Sequence, residues 1–143
     1  MKRDAIMSLA AVVLAFAAFP APLGAEEVTS TFGTRSDPFH GKRASHKGID
    51  IAAPTGTPVY ATANGVVDYA SRLGSYGLLV KIKHPSGHET RFAHLSKITV
   101  RRGQVVLKGD LIGRVGSTGR STGPHLHYEV RLNGKPLDPA RFM

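Results

Sequence analysis

Histidines are the residues of this sequence whose type and spacing are best suited to chemistry. The 143-residue chain has seven of them and no cysteine, which excludes thiolate metal sites and cysteine nucleophiles. Four lie in three short motifs: His46-x-x-x-Asp50, Arg91-Phe-Ala-His94-Leu-Ser96 and His125-Leu-His127. Imidazole nitrogens and carboxylate oxygens are zinc ligands, and imidazole also transfers protons near neutral pH. The motifs therefore indicate metal binding, proton transfer or both.

The pair His125 and His127 stands at the start of a run in which apolar residues alternate with polar ones. Side chains two positions apart point to the same face of a β-strand, so we expect the two imidazoles to lie side by side. Such a pair can share a metal ion, or one member can bind metal while the other transfers a proton. Taken alone, the pair is equally compatible with two exposed histidines on a strand.

An imidazole and a carboxylate four residues apart, His46 and Asp50, lie on the same side of an extended segment. Gly48 stands between them and allows the backbone to bend, so that both side chains can aim at one point. The three motifs together provide two histidines and one carboxylate as ligands, with two imidazoles to spare. A catalytic zinc site needs three protein ligands and an open position for water, and the set has that number.

The elements that must hold these residues are predicted to be strands. Glycines and prolines break any ordinary helix over residues 46–58. Short β-type runs then alternate with turn signals: 59–63, 66–70, 76–84, 88–95, 104–107, 111–115 and 126–132. Asn64-Gly65 predicts a two-residue hairpin between the first two runs, and residues 85–87 join the third run to the fourth. The pattern predicts one compact antiparallel all-β domain, a sheet or a sandwich.

Four separated segments of the sequence resemble a known family. They are Thr31-Phe-Gly-x-Arg35, His46-Lys-Gly-Ile-Asp50-Ile-Ala-Ala-Pro54-x-Gly-Thr-Pro58, Ala93-His94-Leu-Ser96 and Gly116-Ser-Thr-Gly-Arg-Ser-Thr-Gly-Pro-His125-Leu-His127. In this order they resemble the lysostaphin-type (LytM-like) zinc metallopeptidases. These are peptidoglycan hydrolases that cut peptide bonds in bacterial cell-wall cross-bridges. The resemblance runs from about residue 31 to residue 139.

The resemblance implies both a metal-binding set and a catalytic set. The implied ligands of one Zn²⁺ ion are His46, Asp50 and His127, and the implied catalytic histidines are His94 and His125. The family fold is a compact antiparallel β domain with the site in a groove, which agrees with the strand prediction. Phe92 departs from the family pattern, because many relatives have Tyr at this position. This difference removes only a tyrosine hydroxyl that could stand near the site. We expect Phe92 to pack in the core.

The first 25 residues have the pattern of a secretory signal peptide. A basic start is followed by an apolar run over residues 7–19 and by a small-residue exit over residues 20–25. The run is shorter than the roughly 20 apolar residues of a transmembrane helix. We therefore expect cleavage after Ala25 and no lasting membrane anchor. The mature domain would comprise residues 26–143, exported to the periplasm or the cell exterior, and we expect it to be a monomer.

Positive charge is spread along the whole chain. The formal net charge is +9, and no block of cations is longer than two residues. Such spacing favours a generally positive surface that faces anionic cell-wall polymers or membrane surfaces. A nucleic-acid-binding β domain would share this charge. The predicted export signal and the lack of clustered aromatic residues for base stacking argue against it.

Several residues around the motifs have two interpretations. Glu129 shares strand parity with His127 and can orient it, although a solvated or cross-strand ion-paired glutamate is the favoured interpretation. Lys47 and Arg120 can meet substrate carboxylates or remain solvated. The remaining histidines are expected to be structural or at the surface: His40, His84 and His88. Of these three, His40 is the one expected to come nearest to the groove.

The glycine-rich residues 116–123 lack the spacing of a phosphate-binding loop. We expect them to form a rigid loop that positions His125 and lines one wall of the groove.

The function predicted from the sequence is that of an exported zinc endopeptidase acting on peptidoglycan stem or cross-bridge peptides. Either His94 or His125 would take the proton of the attacking water, and the other would stabilise the oxyanion. The alternative is a non-catalytic module on the same fold that binds the wall or activates another wall hydrolase. The presence of all three implied ligands and both implied catalytic histidines favours the enzyme.

Overall fold

The computed structural model describes residues 22–23, 28–36 and 43–143, and within these ranges the chain is an antiparallel β protein. The strands are β1 Val28–Ser30, β2 Gly33–Ser36, β3 Arg43–His46, β4 Ile49–Ala52, β5 Pro58–Tyr60, β6 Gly65–Arg72, β7 Leu78–Lys83, β8 His88–Ile98, β9 Val105–Val106, β10 Leu111–Val115, β11 His125–Leu132 and β12 Lys135–Leu137. Two short 3₁₀ segments cover Gly74–Tyr76 and Pro139–Phe142. The all-β prediction is confirmed. The predicted signal peptide, apart from Pro22 and Leu23, lies outside the described residues, as does His40.

Ten of the strands form one sheet, whose main order is β1-β4-β11-β8-β7-β6-β9. Strand β10 pairs with β8 and β5, strand β12 pairs with β11, and β2 and β3 form a separate two-stranded sheet. Strand β11 therefore lies between β4 and β8. The strands that carry Asp50, the 91–96 motif and the 125–127 motif are therefore direct neighbours, although their sequences are far apart, and His46 lies at the end of β3, just before β4.

The register between these strands sets which side chains meet. His127 of β11 lies opposite Asp50 of β4 on one side and opposite Ala93 of β8 on the other. His125 lies opposite Ala52. Because His94 directly follows Ala93, the pairing brings the motifs at 46–50, 91–96 and 125–127 to one region of the sheet.

The core packs beneath this region. Leu126 and Tyr128 of β11 and Phe92 of β8 are fully buried, and the rings of Phe92 and Tyr128 lie 5.2 Å apart between centroids. The Tyr128 hydroxyl shares a 2.9 Å hydrogen bond with Thr62 Oγ1, so the buried polar atom is satisfied. The prediction that Phe92 packs in the core is confirmed.

One of the two predicted hairpins is present. Strands β7 and β8 pair as neighbours across residues 84–87, with Gly87 at a φ of 89°. The hairpin predicted at Asn64-Gly65 is wrong, because β5 pairs with β10 while β6 pairs with β7 and β9. A type I′ turn needs positive φ at both central residues, and neither Asn64 nor Gly65 has it. The Asn64 side chain instead accepts the Lys108 N–H at 2.8 Å.

The described N-terminal residues contact the sheet. The Pro22 carbonyl accepts a hydrogen bond from the Tyr60 N–H at 3.2 Å, and Leu23 packs against the core. Across the described ranges, no helix has both the length and the apolar character required to cross a bilayer.

Candidate metal centre and active site

A groove of about 900 Å³ crosses the sheet where β4, β8 and β11 meet. All five residues of the implied metal-binding and catalytic sets line it: His46, Asp50, His94, His125 and His127. The other walls come from the 3₁₀ segment that ends at Tyr76 and from residues 119–122. The fold thus gathers in one open cavity side chains as distant in sequence as His46 and His127, which are 81 positions apart.

His46, Asp50 and His127 form a group that can hold a metal ion. Each offers one ligand atom, and these atoms lie within 4.8 Å of one another. His46 Nε2 is 3.4 Å from Asp50 Oδ2, and His127 Nδ1 is 2.9 Å from Asp50 Oδ1. Two imidazoles and a carboxylate are a donor set that zinc accepts, so the residues present fit this metal.

The ring nitrogens that point away from Asp50 are held by fixed oxygen acceptors. His46 Nδ1–H donates to the Thr31 carbonyl at 2.7 Å, and His127 Nε2–H donates to Glu129 Oε2 at 2.7 Å. Such partners select the tautomer and the ring orientation of a metal-binding histidine. They leave His46 Nε2 and His127 Nδ1 facing the shared space beside Asp50.

His94 and His125 stand next to this group, with their ring centroids 4.8 Å apart. Their Nδ1–H groups donate to backbone carbonyls, His94 to Thr118 at 2.8 Å and His125 to Gly123 at 2.8 Å. His125 Nε2 lies 3.6 Å from Asp50 Oδ1. Both rings therefore present Nε2 to the groove, where it can accept or donate a proton.

The loop of residues 116–123 contacts His125, as predicted, and it also contacts His94, which was not predicted. Thr118 Oγ1 donates to the Leu95 carbonyl at 2.6 Å and accepts the Leu78 N–H at 3.0 Å, which ties the loop to β8 and β7. His94 itself has a φ of 60°, an uncommon conformation for a residue with a side chain. The His94 ring contacts the Thr118 carbonyl and lines the groove.

The pKa values of the metal-binding group are set by mutual contacts. Burial disfavours ionised Asp50, but the hydrogen bonds from His127 and His46 outweigh it and hold the pKa of Asp50 well below its usual value. Burial likewise opposes charge on His127, and the hydrogen bonds to Asp50 and Glu129 raise its pKa to about 9. For His94, burial is the largest cause and lowers the pKa, so this imidazole is neutral at pH 7.

Comparison with known proteins identifies the family. Residues 44–139, which include every residue that lines the groove, match Peptidase family M23. The chain belongs to this family. The predicted lysostaphin-type peptidase family is therefore confirmed.

Relatives whose names state an activity support the same family. The chain is 52% identical over 118 residues to the DD-carboxypeptidase/endopeptidase Mpg of Neisseria meningitidis, a match that covers 82% of this chain and 27% of Mpg. It is 41% identical over 125 residues to the peptidoglycan DD-endopeptidase ShyB of Vibrio cholerae, covering 87% of this chain and 29% of ShyB. The chain thus spans less than a third of the length of these relatives.

Two solved structures share the fold. The catalytic domain of the antimicrobial peptidase lysostaphin from Staphylococcus simulans has a TM-score of 0.77 and 31% identity, with 84% of this chain and 93% of that domain covered. A zinc containing peptidase from Vibrio cholerae has a TM-score of 0.75 and 42% identity, with 79% of this chain and 35% of that chain covered.

Gly48 of this M23 chain lies at a bend in the backbone, as predicted, and close packing gives a second reason for a glycine at this position. Its φ lies outside the left-handed region. A Cβ at this position would overlap the Tyr128 carbonyl oxygen and lie 2.8 Å from Glu129 Cγ. The glycine thus lets the segment between His46 and Asp50 approach β11 closely, which brings both side chains to His127.

Glu129 differs from the favoured prediction. Only 1% of it is exposed, so the solvated interpretation is wrong. Its ion-pair partners, His127 and Arg131, stand on the same strand and not across the sheet, with Arg131 Nε donating to Oε1 at 2.7 Å. Burial opposes its ionisation, but the hydrogen bonds from His127 and then Arg131 lower the pKa of Glu129 to about 2. The weaker alternative, that Glu129 orients His127, agrees with the 2.7 Å contact between them.

Tyr76 is a groove residue that the sequence analysis did not find. Its hydroxyl donates to Glu129 Oε2 at 2.9 Å, and its ring centroid is 6.1 Å from that of His127. Tyr76 and Glu129 are 53 positions apart, and nothing in the sequence around Tyr76 marks it. For Glu129, strand parity with His127 is the one signal in the sequence that could have favoured the orienting role.

The remaining predicted residues divide between the groove and the core. Lys47 and Arg120 are exposed and line the groove. His84 and His88 are 5% and 1% exposed, and neither lines the groove. His84 Nδ1 contacts the Asn64 carbonyl and His84 Nε2 contacts Thr90 Oγ1, both at 2.8 Å. The structural interpretation of these two histidines is confirmed.

Proposed function

We propose that this chain is an exported, zinc-dependent endopeptidase that hydrolyses peptide bonds in peptidoglycan stem or cross-bridge peptides. The observation that carries the proposal is the convergence of three ligand atoms and two further imidazoles in one groove, in a chain of a metallopeptidase family. Relatives named as peptidoglycan DD-endopeptidases support the substrate class. The wide, open groove is suited to an extended peptide.

The metal-binding residues in this proposal are His46 through Nε2, Asp50 through its carboxylate and His127 through Nδ1. These three residues would hold one zinc ion, as a catalytic zinc site with three protein ligands requires. Bound zinc supplies Lewis-acid chemistry, lowering the pKa of a bound water and polarising the scissile carbonyl. The Thr31 carbonyl and Glu129 keep the two rings turned toward the ion, because each holds the opposite ring nitrogen.

His94 and His125 carry the protons in this proposal. Their Nδ1–H groups are fixed on backbone carbonyls, so Nε2 of each ring is the atom that works in the groove. One Nε2 accepts the proton of the attacking water and returns a proton to the leaving amine. The other ring, carrying a proton on both nitrogens, donates a hydrogen bond from Nε2–H to the oxyanion of the tetrahedral intermediate. The backbone anchors keep both rings in position, so little reorganisation is needed during the reaction.

The site of action in this proposal is the cell wall. The formal net charge of +9 favours contact with anionic wall polymers, and the apolar run near the N-terminus supports export to the periplasm or the exterior. Cleavage after Ala25, a monomeric state and the catalytic domain boundary at residue 26 remain part of the proposal. Lys47 and Arg120 stand where they can meet carboxylates of the substrate peptide.

Digestion of purified peptidoglycan, with and without a chelator, tests the proposal. Mass spectrometry of the released fragments should show cleaved peptide bonds that disappear with chelator and return with added zinc. The fragment masses also identify the bond. Binding to peptidoglycan without cleavage, by protein shown to contain zinc, would contradict the enzyme and favour the non-catalytic wall-binding module.

A further inference from the structure

A buried network of charged residues lies directly behind His127. Glu129 Oε2 accepts from His127 Nε2–H at 2.7 Å and from the Tyr76 hydroxyl at 2.9 Å. Glu129 Oε1 accepts from Arg131 Nε at 2.7 Å. The same oxygen of Glu129 thus serves both His127 and Tyr76, which makes the tyrosine hydroxyl a direct neighbour of the hydrogen bond that orients the histidine.

The Tyr76 hydroxyl is itself held in place by two guanidinium groups. Arg91 Nη1 donates to it at 3.2 Å and Arg131 Nη2 donates to it at 3.3 Å. The Arg91 guanidinium also lies 5.8 Å from the centre of the tyrosine ring, and Arg91 Nε is fixed by Glu89 at 2.8 Å. With two donors on its oxygen, the hydroxyl has its proton directed at Glu129.

Protonation of the hydroxyl is consistent with this geometry. Burial and then the negative charge of Glu129 raise the pKa of Tyr76, so the hydroxyl keeps the proton that it donates. The Tyr76 hydroxyl oxygen thus joins three elements of the fold. It belongs to the 3₁₀ segment, and it contacts Arg91 of β8 and both Glu129 and Arg131 of β11.

We propose that Tyr76 is a positioning residue, whose hydroxyl fixes the Glu129 carboxylate and thereby keeps His127 Nδ1 turned toward the metal site. The terminal torsion of a glutamate is broad, so one ionic contact with Arg131 leaves the carboxylate able to rotate. The Tyr76 hydrogen bond restricts that rotation at the oxygen that binds His127. The proposal rests on the proposed function in one respect, that His127 binds zinc.

The variant Tyr76→Phe removes the hydroxyl and keeps the ring that lines the groove. Tyr69→Phe is the matched control, because the Tyr69 hydroxyl donates to the Arg72 carbonyl and Tyr69 does not line the groove. Zinc affinity is measured by chelator competition on both variants and on the unaltered chain. Exchange of the proton on His127 Nε2 with water is measured by NMR on zinc-loaded and metal-free protein.

Tyr76→Phe is expected to weaken zinc binding about 3- to 10-fold, less than the roughly 10- to 100-fold typical of a group that touches the ligand directly. The Nε2 proton of His127 is expected to exchange faster in both forms, while thermal stability matches that of Tyr69→Phe. Equal zinc affinity and equal proton exchange in the two variants would overturn the positioning role. If the unaltered chain bound no zinc, the proposed function would fail, and proton exchange in the metal-free protein would still decide the role of Tyr76.

Discussion

Histidine has two different roles in this protein, as a comparison of the groove residue His127 with the core residue His84 shows. His127 and His84 are both buried, and burial disfavours the charged ring in each case. His127 lies between two carboxylates, and its pKa rises to about 9. Burial lowers the pKa of His84 to about 4, because its direct partners are a carbonyl and a hydroxyl. Because both side chains are buried, the opposite pKa shifts of His127 and His84 come from the chemistry of their partners.

The second difference concerns where the ring nitrogens point. In the groove, each histidine has one nitrogen on a fixed oxygen and the other directed at a space shared with Asp50 or a neighbouring ring. In His84 both nitrogens contact core atoms. A ligand or substrate can therefore engage the groove histidines, whereas His84 serves to join β7, β8 and the residues before β6.

The largest expected effect comes from removing a metal ligand. His127→Ala is expected to lose bound zinc and to lower turnover to the background level, because two protein ligands do not hold a catalytic zinc ion. Metal content measured by elemental analysis checks the first point, and peptidoglycan digestion checks the second. His84→Gln is the matched control and should retain both. One equivalent of zinc in purified His127→Ala would contradict the assignment of His127 as a metal ligand.

The next effect separates metal binding from proton transfer. His125→Ala is expected to keep most of its zinc and to lose about 10²- to 10⁴-fold in turnover, the usual contribution of a general acid or base. Zinc content and the rate of peptide release should be measured side by side with His127→Ala. Loss of zinc from His125→Ala, with zinc retained in His127→Ala, would reverse the assigned roles.

The core histidine predicts a pH effect on stability. Because the pKa of His84 is about 4 in the fold and about 6.5 in the unfolded chain, the unfolded state binds more protons between these values. The stability contribution is complete above pH 6.5 and is lost as the pH falls toward 4, by about 3 kcal/mol. Denaturant unfolding from pH 4 to 7 should show a flatter profile for His84→Gln. Identical profiles would rule out this account of His84.

The smallest effect tests the packing beneath the metal site. Gly48→Ala is expected to cost about 1–3 kcal/mol of folding free energy and to weaken zinc binding, because the new Cβ overlaps the Tyr128 carbonyl. Gly123→Ala is the control, since a Cβ there meets nothing within 4 Å. Unfolding and zinc titrations of the two variants should differ. If Gly48→Ala were as stable as Gly123→Ala, the close approach of Gly48 to β11 would not be required for stability.

The candidate site residues could be named from the sequence because the motifs have simple local geometry and the family resemblance implies a role for each residue. His125 and His127 share a strand face through simple alternation, and the register then places Asp50 opposite His127. The family resemblance supplied the order of the motifs. Strand positions from residue 76 onward were also largely recognised, since their turns and apolar runs are local features.

The errors came from contacts between distant parts of the chain. Asn64-Gly65 is a strong local hairpin signal, but β5 pairs with β10 about 50 residues later. A solvated or cross-strand ion-paired Glu129 was the favoured interpretation because its contact with Tyr76 joins residues 53 positions apart, which local sequence does not reveal. Local sequence gives the type of an element, whereas its neighbours depend on the packing of the whole sheet.

Anomalous scattering at the zinc absorption edge, from crystals of the zinc-loaded chain, tests the central claim most directly. The account predicts one peak about 2.0–2.2 Å from His46 Nε2, an Asp50 carboxylate oxygen and His127 Nδ1, with His94 and His125 outside bonding distance. A peak bound by His94 or His125 in place of one of these ligands, or no peak in the groove, would contradict it.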